Sequence, residues 1–288
     1  RRAVRLGLKP EQAIKMATIQ AAKCYGLHHL GAIAPGYQAD FVVLDNLDEM
    51  NVLEVYHKGN KIIRDEKVEI RPCSPQLKNT VHLLGFKESN LRLPWKQGRV
   101  HIIKMFAGQI VTEDIMEEVG YVDENGQKFF KADETYQKIA AVERHKNTGK
   151  VGVGIVKGFG LRGGAIASSV SHDSHNLIVI GDNDHDMYLA VQELLRVQGG
   201  YTLVENGEVF DTLPLPIMGL MSDAGYEKVN EKLARMIPKA HEMGIPKGFD
   251  PFITLSFMAL PVIPQIRITP RGVYLTKEDR MIQSPFDH

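Results

Sequence analysis

Six consecutive residues, Ser171-His172-Asp173-Ser174-His175-Asn176, bring together two imidazoles, a carboxylate, two hydroxyls and a carboxamide. Imidazoles serve near neutral pH as general acids, general bases or metal ligands, and a neighbouring carboxylate can fix which ring nitrogen carries the proton. Two readings follow. In one, His172 and His175 are acid–base groups or accessory ligands for zinc, iron or manganese, with Asp173 as ligand or tautomer-fixing partner. In the other, the segment is a turn in which Asp173 and Asn176 hold backbone groups and the histidines lie at the surface. Spacing of three puts both rings on one side only if the chain turns there, because in a straight strand they diverge. Placement between two apolar runs makes this a loop on a rigid scaffold, which favours function.

The elements that position this loop can be read from its flanks. Before it, Gly158-Phe159-Gly160-Leu161-Arg162-Gly163 matches GxGxxG, and a dinucleotide site would need a helix to open there. Ala165 to Val170 instead alternates like a strand, so the glycines read as a tight turn. After the loop, Leu177 to Ile180 is a core strand. Val151, Val153 and Ile155 alternate with Gly152 and Gly154, a strand against which another backbone can lie close. Asp182 to Asp186 is a polar turn that could also give His172 or His175 a carboxylate partner. Asp184 is the expected N-cap of a helix running to Gly199-Gly200, with Met187, Ala190, Val191, Leu194 and Leu195 as its apolar face.

Further out, Asn206-Gly207 marks a hairpin between Tyr201–Glu205 and Glu208–Leu213. Ser222 or Asp223 should start a helix that breaks or kinks at Pro238. Phe252–Leu260 and Val262–Ile268 are apolar stretches, followed by a strand at Gly272. Asp133 reads as the cap of a helix to about His145, Asp123 to Gly126 as a turn, and Val100–Met105 with Gln109–Thr112 as a hairpin. Near the start, helices are expected from Pro10 to Met16 and, capped by Thr18, to Cys24. A type II turn at Pro35-Gly36, a buried strand Phe41–Leu44 and a hairpin of Val52–His57 with Lys61–Arg64 follow. Residues 65–98, with three prolines, read as a connection.

Composition narrows the classes. The 288 residues suffice for about two domains. Lys plus Arg and Asp plus Glu are 35 each, so charge points to neither nucleic acid nor an acidic surface. Two cysteines without a CxxC suggest a reduced, cytoplasmic protein, and no apolar run is long enough to span a membrane. No H-x-H, HExxH, GxSxG or Walker motif occurs, and the H-x-E with P-C-x-x-C of cytidine-deaminase zinc sites is missing. The chain opens on Arg1 in helical periodicity without Met, which suggests the C-terminal part of something longer.

Pro10 to Thr18, with Gly31-Ala32-Ile33-Ala34-Pro35-Gly36-Tyr37-Gln38-Ala39-Asp40-Phe41-Val42-Val43-Leu44, resembles the end of an amidohydrolase-superfamily enzyme. Lys157 to Asn176, with Gly181-Asp182-Asn183-Asp184 and the Gly199-Gly200 helix end, resembles the C-terminal domain of the bacterial adenine deaminases. The resemblance implies an α+β fold, α/β-like in its C-terminal domain of short strands and helices. The last helices of a (β/α)8 barrel (1–30) and part of a small β-sandwich (31–75) would precede a connection with further strands (76–120) and the C-terminal domain (121–288). It implies hydrolysis of adenine to hypoxanthine and ammonia, with a divalent metal pair (Mn, Fe or Zn) activating water. The principal metal ligands would lie upstream of Arg1, leaving this chain inactive alone. Carried onto this sequence, His172, Asp173 and His175 become accessory catalytic candidates, with His172 and His175 also accessory metal candidates. Arg162, Ser171 and Asn176 become substrate-binding candidates. Implied partners are adenine, the missing N-terminal barrel and further copies of the chain, with neither nucleic acid nor membrane. Another amidohydrolase activity and a non-catalytic assembly domain are the alternatives.

Overall fold

The computed structural model describes residues 1–62 and 73–287. The chain divides into two compact units, residues 1–69 and 70–288. The first contains helices α1 (Arg2–Arg5), α2 (Pro10–Lys15) and α3 (Ala21–Cys24), with π-helical Met16–Gln20 joining the last two. Residues 10–24 are therefore one helical run rather than two capped helices. Thr18 does not cap; its hydroxyl donates back to the Ile14 carbonyl at 2.6 Å. Strands β1 (Phe41–Leu44), β2 (Val52–His57) and β3 (Asn60–Ile62) form an antiparallel sheet. Gly36 takes φ +84°, and the Tyr37 N–H donates to the Ala34 carbonyl, as a type II turn requires. Contrary to the expected burial of β1, Val42 is 50% exposed. Ile63 and Arg64, expected in the hairpin, lie outside the described residues.

The second unit is a mixed α+β structure. Its strands are β4 (Val100–Lys104), β5 (Glu113–Glu117), β6 (Tyr121–Glu124), β7 (Gln127–Phe130), β8 (Tyr136–Val142), β9 (Val151–Lys157), β10 (Gly164–Ser168) and β11 (Leu177–Gly181). After α4 (Asp184–Val197) come β12 (Gly200–Glu205) and β13 (Glu208–Pro214), then α5 (Tyr226–Glu242), α6 (Pro251–Phe257), β14 (Ile266–Thr269), β15 (Gly272–Leu275) and β16 (Arg280–Ile282). Eight strands pair in the order β13-β12-β10-β11-β8-β9-β4-β5, antiparallel except between β4 and β9.

Strand alternation builds a core on each face of this sheet. Ile178 and Ile180 of β11 point into one core with Met236, Ala240, Phe252 and Leu255 of α5 and α6. Leu177 and Val179 point into the other with Met187, Ala190, Val191 and Leu194 of α4. A central strand in such a sandwich is buried on both faces, so it carries no half-polar signature.

Residues 133–145 do not form the expected helix; Tyr136–Val142 is a central strand. Ile139 and Ala141 enter one core while Ala140 and Val142 enter the other, which a single-faced helix could not do. Asp133 instead closes a turn by accepting from the Thr135 and Tyr136 N–H groups. The expected hairpin at 100–112 is also displaced: β4 pairs with β5. Residues 110–112 are drawn to the separate antiparallel sheet of β14, β15 and β16, where Arg267 donates to the Ile110 carbonyl and the Thr112 hydroxyl. Helix α4 is capped by the Asn183 side chain, not by Asp184. Helix α5 starts at Tyr226 rather than at Ser222 or Asp223, and it runs through Pro238 to Glu242. Proline removes the donor to the Ala234 carbonyl, but both residues are on the exposed side, where water can serve that carbonyl. The Asn206-Gly207 hairpin forms as expected, and the expected turn at Asp123–Gly126 joins the hairpin of β6 and β7.

Candidate functional site

Residues 169–176 connect β10 to β11, neighbouring antiparallel strands in the middle of the sheet. Their entry is fixed by Ser169, whose hydroxyl donates to the Gly219 carbonyl and accepts from the Gly200 N–H at 2.7 Å. The chain then turns tightly: the His175 N–H donates to the Ser171 carbonyl at 2.6 Å, and His175 sits in the left-handed region with φ +49°. This turn brings the two imidazoles near each other, with ring centroids 6.4 Å apart. The His172 ring lies 4.7 Å from the ring of Phe257 in α6, and the His172 backbone N–H donates to the Ser256 carbonyl.

Two polar atoms of the loop are buried without a hydrogen-bond partner, Ser171 Oγ and His175 Nδ1. Such atoms cost about 1–3 kcal/mol each when left unpaired. They are the loop's open valences. Burial first, then the nearby Arg144 charge, lowers the pKa of His175 below the ordinary imidazole value of 6.5. Its ring is therefore neutral at neutral pH, able to accept at one nitrogen and donate at the other.

The remaining candidates fall differently. Asp173 is 86% exposed and its carboxylate is 3.9 Å from His172 Nδ1, too far for an orienting hydrogen bond. Asn176 is buried, and its side-chain oxygen already accepts from the Arg144 N–H at 3.3 Å. Arg162 is not brought to the loop at all. It precedes β10 at the opposite strand end, its guanidinium exposed and 3.6 Å from Glu134. Neither are Asp182, Asp184 and Asp186 partners of the histidines. Asp184 pairs with the buried Lys138, and Asp186 accepts from the Gly207 N–H and the Asn183 amide.

Asp182 settles the glycine turn. Its carboxylate accepts from the Gly163 and Gly164 N–H groups, while the Gly160 N–H donates to Gln137 Oε1. The amides that would cradle a phosphate are spoken for, partly by an anion, and a strand follows rather than a helix. The glycines serve packing: a Cβ at Gly158 would come within 2.6 Å of the Met105 carbonyl oxygen.

Sequence reasoning missed Arg144, which is 1% exposed at the end of β8. Its Nε donates to the His175 carbonyl, Nη1 to the Thr80 carbonyl at 2.8 Å and hydroxyl at 3.1 Å, and Nη2 to the Met218 carbonyl at 2.9 Å. Burial lowers its pKa to about 10. The available signal is an arginine two residues past the apolar run Ile139–Val142. Beside it, His145 Nε2 donates to the Ser174 carbonyl at 2.8 Å, so the loop is gripped by adjacent residues of one turn.

As a metal centre the loop is incomplete. Among the described residues no group of three or more His, Cys, Asp and Glu side chains could hold a metal ion. The His172–His175 pair, with Asp173 turned to solvent, does not fit a divalent metal pair.

Comparison with known proteins places the chain. Residues 1–63 match the amidohydrolase family model. Residues 109–280 match the adenine deaminase C-terminal domain, and the chain belongs to that family. It is 52% identical over 283 residues to an adenine deaminase of Desulfitobacterium hafniense, covering 98% of this chain and 49% of that protein. It is 42% identical over 290 residues to an adenine deaminase of Petrotoga mobilis, covering 95% and 48%. Identity to that of Clostridium acetobutylicum is 43% over 281 residues, covering 95% and 49%. The chain thus spans about half the length of these relatives.

Proposed function

We propose that this chain is the C-terminal half of an enzyme that hydrolyses adenine to hypoxanthine and ammonia. The names of its relatives support the reaction. The first unit is then the end of a (β/α)8 barrel and part of a small β-sandwich, and the apolar Val42, Val52 and Leu53 that it leaves exposed suit cover by the preceding half. The enzyme works as a homo-oligomer in the cytoplasm, with neither nucleic acid nor membrane as partner. Manganese, iron or zinc is held by residues outside this chain.

The loop's part rests on one observation: Ser171 Oγ and His175 Nδ1 are buried without partners. In this reading the loop reaches the barrel mouth and closes over the purine. Either His172 or the neutral His175 ring donates to a purine ring nitrogen or carries a proton, and Ser171 supplies a further hydrogen bond. Asn176 serves by shaping the loop through Arg144, and Arg162 stays apart from the purine.

The test is a substrate panel of purines and pyrimidines on the full-length protein. Adenine should be turned over to hypoxanthine with the highest kcat/KM. Preference for another base would point to a different amidohydrolase activity.

A further inference from the structure

The loop's geometry depends on a residue outside it. Arg144 is a fully buried guanidinium that meets no carboxylate among the described residues; every acceptor of its guanidinium is a backbone carbonyl or the Thr80 hydroxyl. An isolated buried charge is costly, so an arginine kept in this setting must be matched by its hydrogen bonds. Those bonds have a pattern. Two of the three carbonyls it binds belong to residues with left-handed backbone, His175 at φ +49° and Met218 at φ +58°. Non-glycine residues reach that region only at a cost of about 1–2 kcal/mol, and they persist there when their surroundings hold them.

We infer that Arg144 is the positioning residue of the Ser171–Asn176 loop, its guanidinium clamping the left-handed His175 backbone to the Thr80 and Met218 segments and so fixing where the His175 imidazole stands. Three further contacts fit a clamp. The Arg144 N–H holds the Asn176 side chain, so both ends of one residue grip the loop. Gly219, at φ +71°, lies flat on the guanidinium, where a Cβ would be 3.0 Å from its carbon and both terminal nitrogens. Ser169 donates to the carbonyl of that same Gly219, tying the loop's first residue to the Met218–Gly219 turn. The groups facing the His175 ring are Arg144, His172, Asp173 and His145. Of these, Arg144 alone also holds the His175 backbone.

This inference rests on the proposed role of the loop in adenine deamination, and the experiment separates the two. Full-length protein is made with Arg144→Met, Arg144→Lys, Arg144→Ala and, as control, Arg267→Met. Arg267 is equally buried and also bonded only to neutral groups, namely Thr112 and the Ile110, Pro264 and Ile266 carbonyls. Displacing the ring by about an ångström should lower kcat for adenine roughly 100-fold in Arg144→Met. KM should move by less than about threefold, because the rest of the site is intact. Arg144→Lys, which keeps the charge and up to three donors, should retain intermediate activity. Millimolar guanidinium should restore part of the lost kcat in Arg144→Ala and none in Arg267→Met. Unchanged kcat in soluble Arg144→Met or Arg144→Lys would overturn the inference. So would a kcat loss equal to that of Arg267→Met with no guanidinium rescue. If His172→Ala and His175→Ala leave adenine turnover unchanged, the loop's role itself fails; if they impair it while the Arg144 variants do not, only the clamp fails.

Discussion

A Cβ placed on Gly152 would stand 1.9 Å from the carbonyl oxygen of Thr269. The central strand β9 therefore lies directly under the β14–β15 turn, and only a residue without a side chain permits the approach. Gly154, two residues on, faces side chains instead: a Cβ there would be 3.3 Å from Ile268 Cδ1 and 3.5 Å from Val273 Cγ2.

Gly152→Ala should destabilise the second unit by about 3 kcal/mol or more, since the obstacle is backbone and cannot rotate away. Gly120→Ala is the control, because a Cβ there meets nothing within 4 Å and Gly120 is not among the positive-φ glycines. It should fall within about 0.5 kcal/mol of wild type. Thermal or denaturant unfolding of both variants checks the contrast, and equal stability would contradict the packing described.

Asp182 predicts the behaviour of the glycine turn. Replacing it by Ala strips the Gly163 and Gly164 amides of their charged acceptor and should cost about 2 kcal/mol. Because the turn is structural, NAD and ATP should not raise the melting temperature of the wild-type protein. A clear rise with either would restore the nucleotide reading.

Glu143 gives a pH dependence. Burial pushes its carboxyl upward, but hydrogen bonds from the His145, Lys146 and Thr148 N–H groups and the Thr148 hydroxyl outweigh it, and the pKa falls to about 2. The unfolded value is 4.5, so the folded state binds this proton less readily. Its stabilising contribution is complete above pH 4.5 and is lost as pH falls toward about 2. Glu143→Gln should cost about 1–2 kcal/mol at pH 7, the difference shrinking steadily below pH 4.5. Denaturant titrations at pH 7 and pH 3 measure this, and a difference that grows on acidification would contradict it.

Legibility in the sequence followed the physics of each element. Helix α4 and the Asn206-Gly207 hairpin carry local signals, an amphipathic stripe and a turn that requires positive φ, and both were readable. The close approach at Gly152 was readable because alternating glycines in a valine-rich strand have few other uses. Strand β8 was not, because Gln137 and Lys138 look like the polar face of a helix. They are buried in the structure, where Gln137 Oε1 accepts from the Gly160 N–H and Lys138 meets Asp184, partners distant in sequence. The same holds at the candidate site. Crowding of polar groups marked the Ser171–Asn176 loop, but Arg144 grips it from 31 residues away in sequence, and Arg162, close to it in sequence, stands at the other end of β10.

The central claim is that the loop takes part in adenine deamination, and the most direct measurement is kcat/KM for adenine of full-length protein carrying His172→Ala and His175→Ala together. Loss of a group that donates to the purine or moves its proton should lower kcat/KM at least about 100-fold, with metal content unchanged. A double variant with the kcat/KM of wild type would contradict the account.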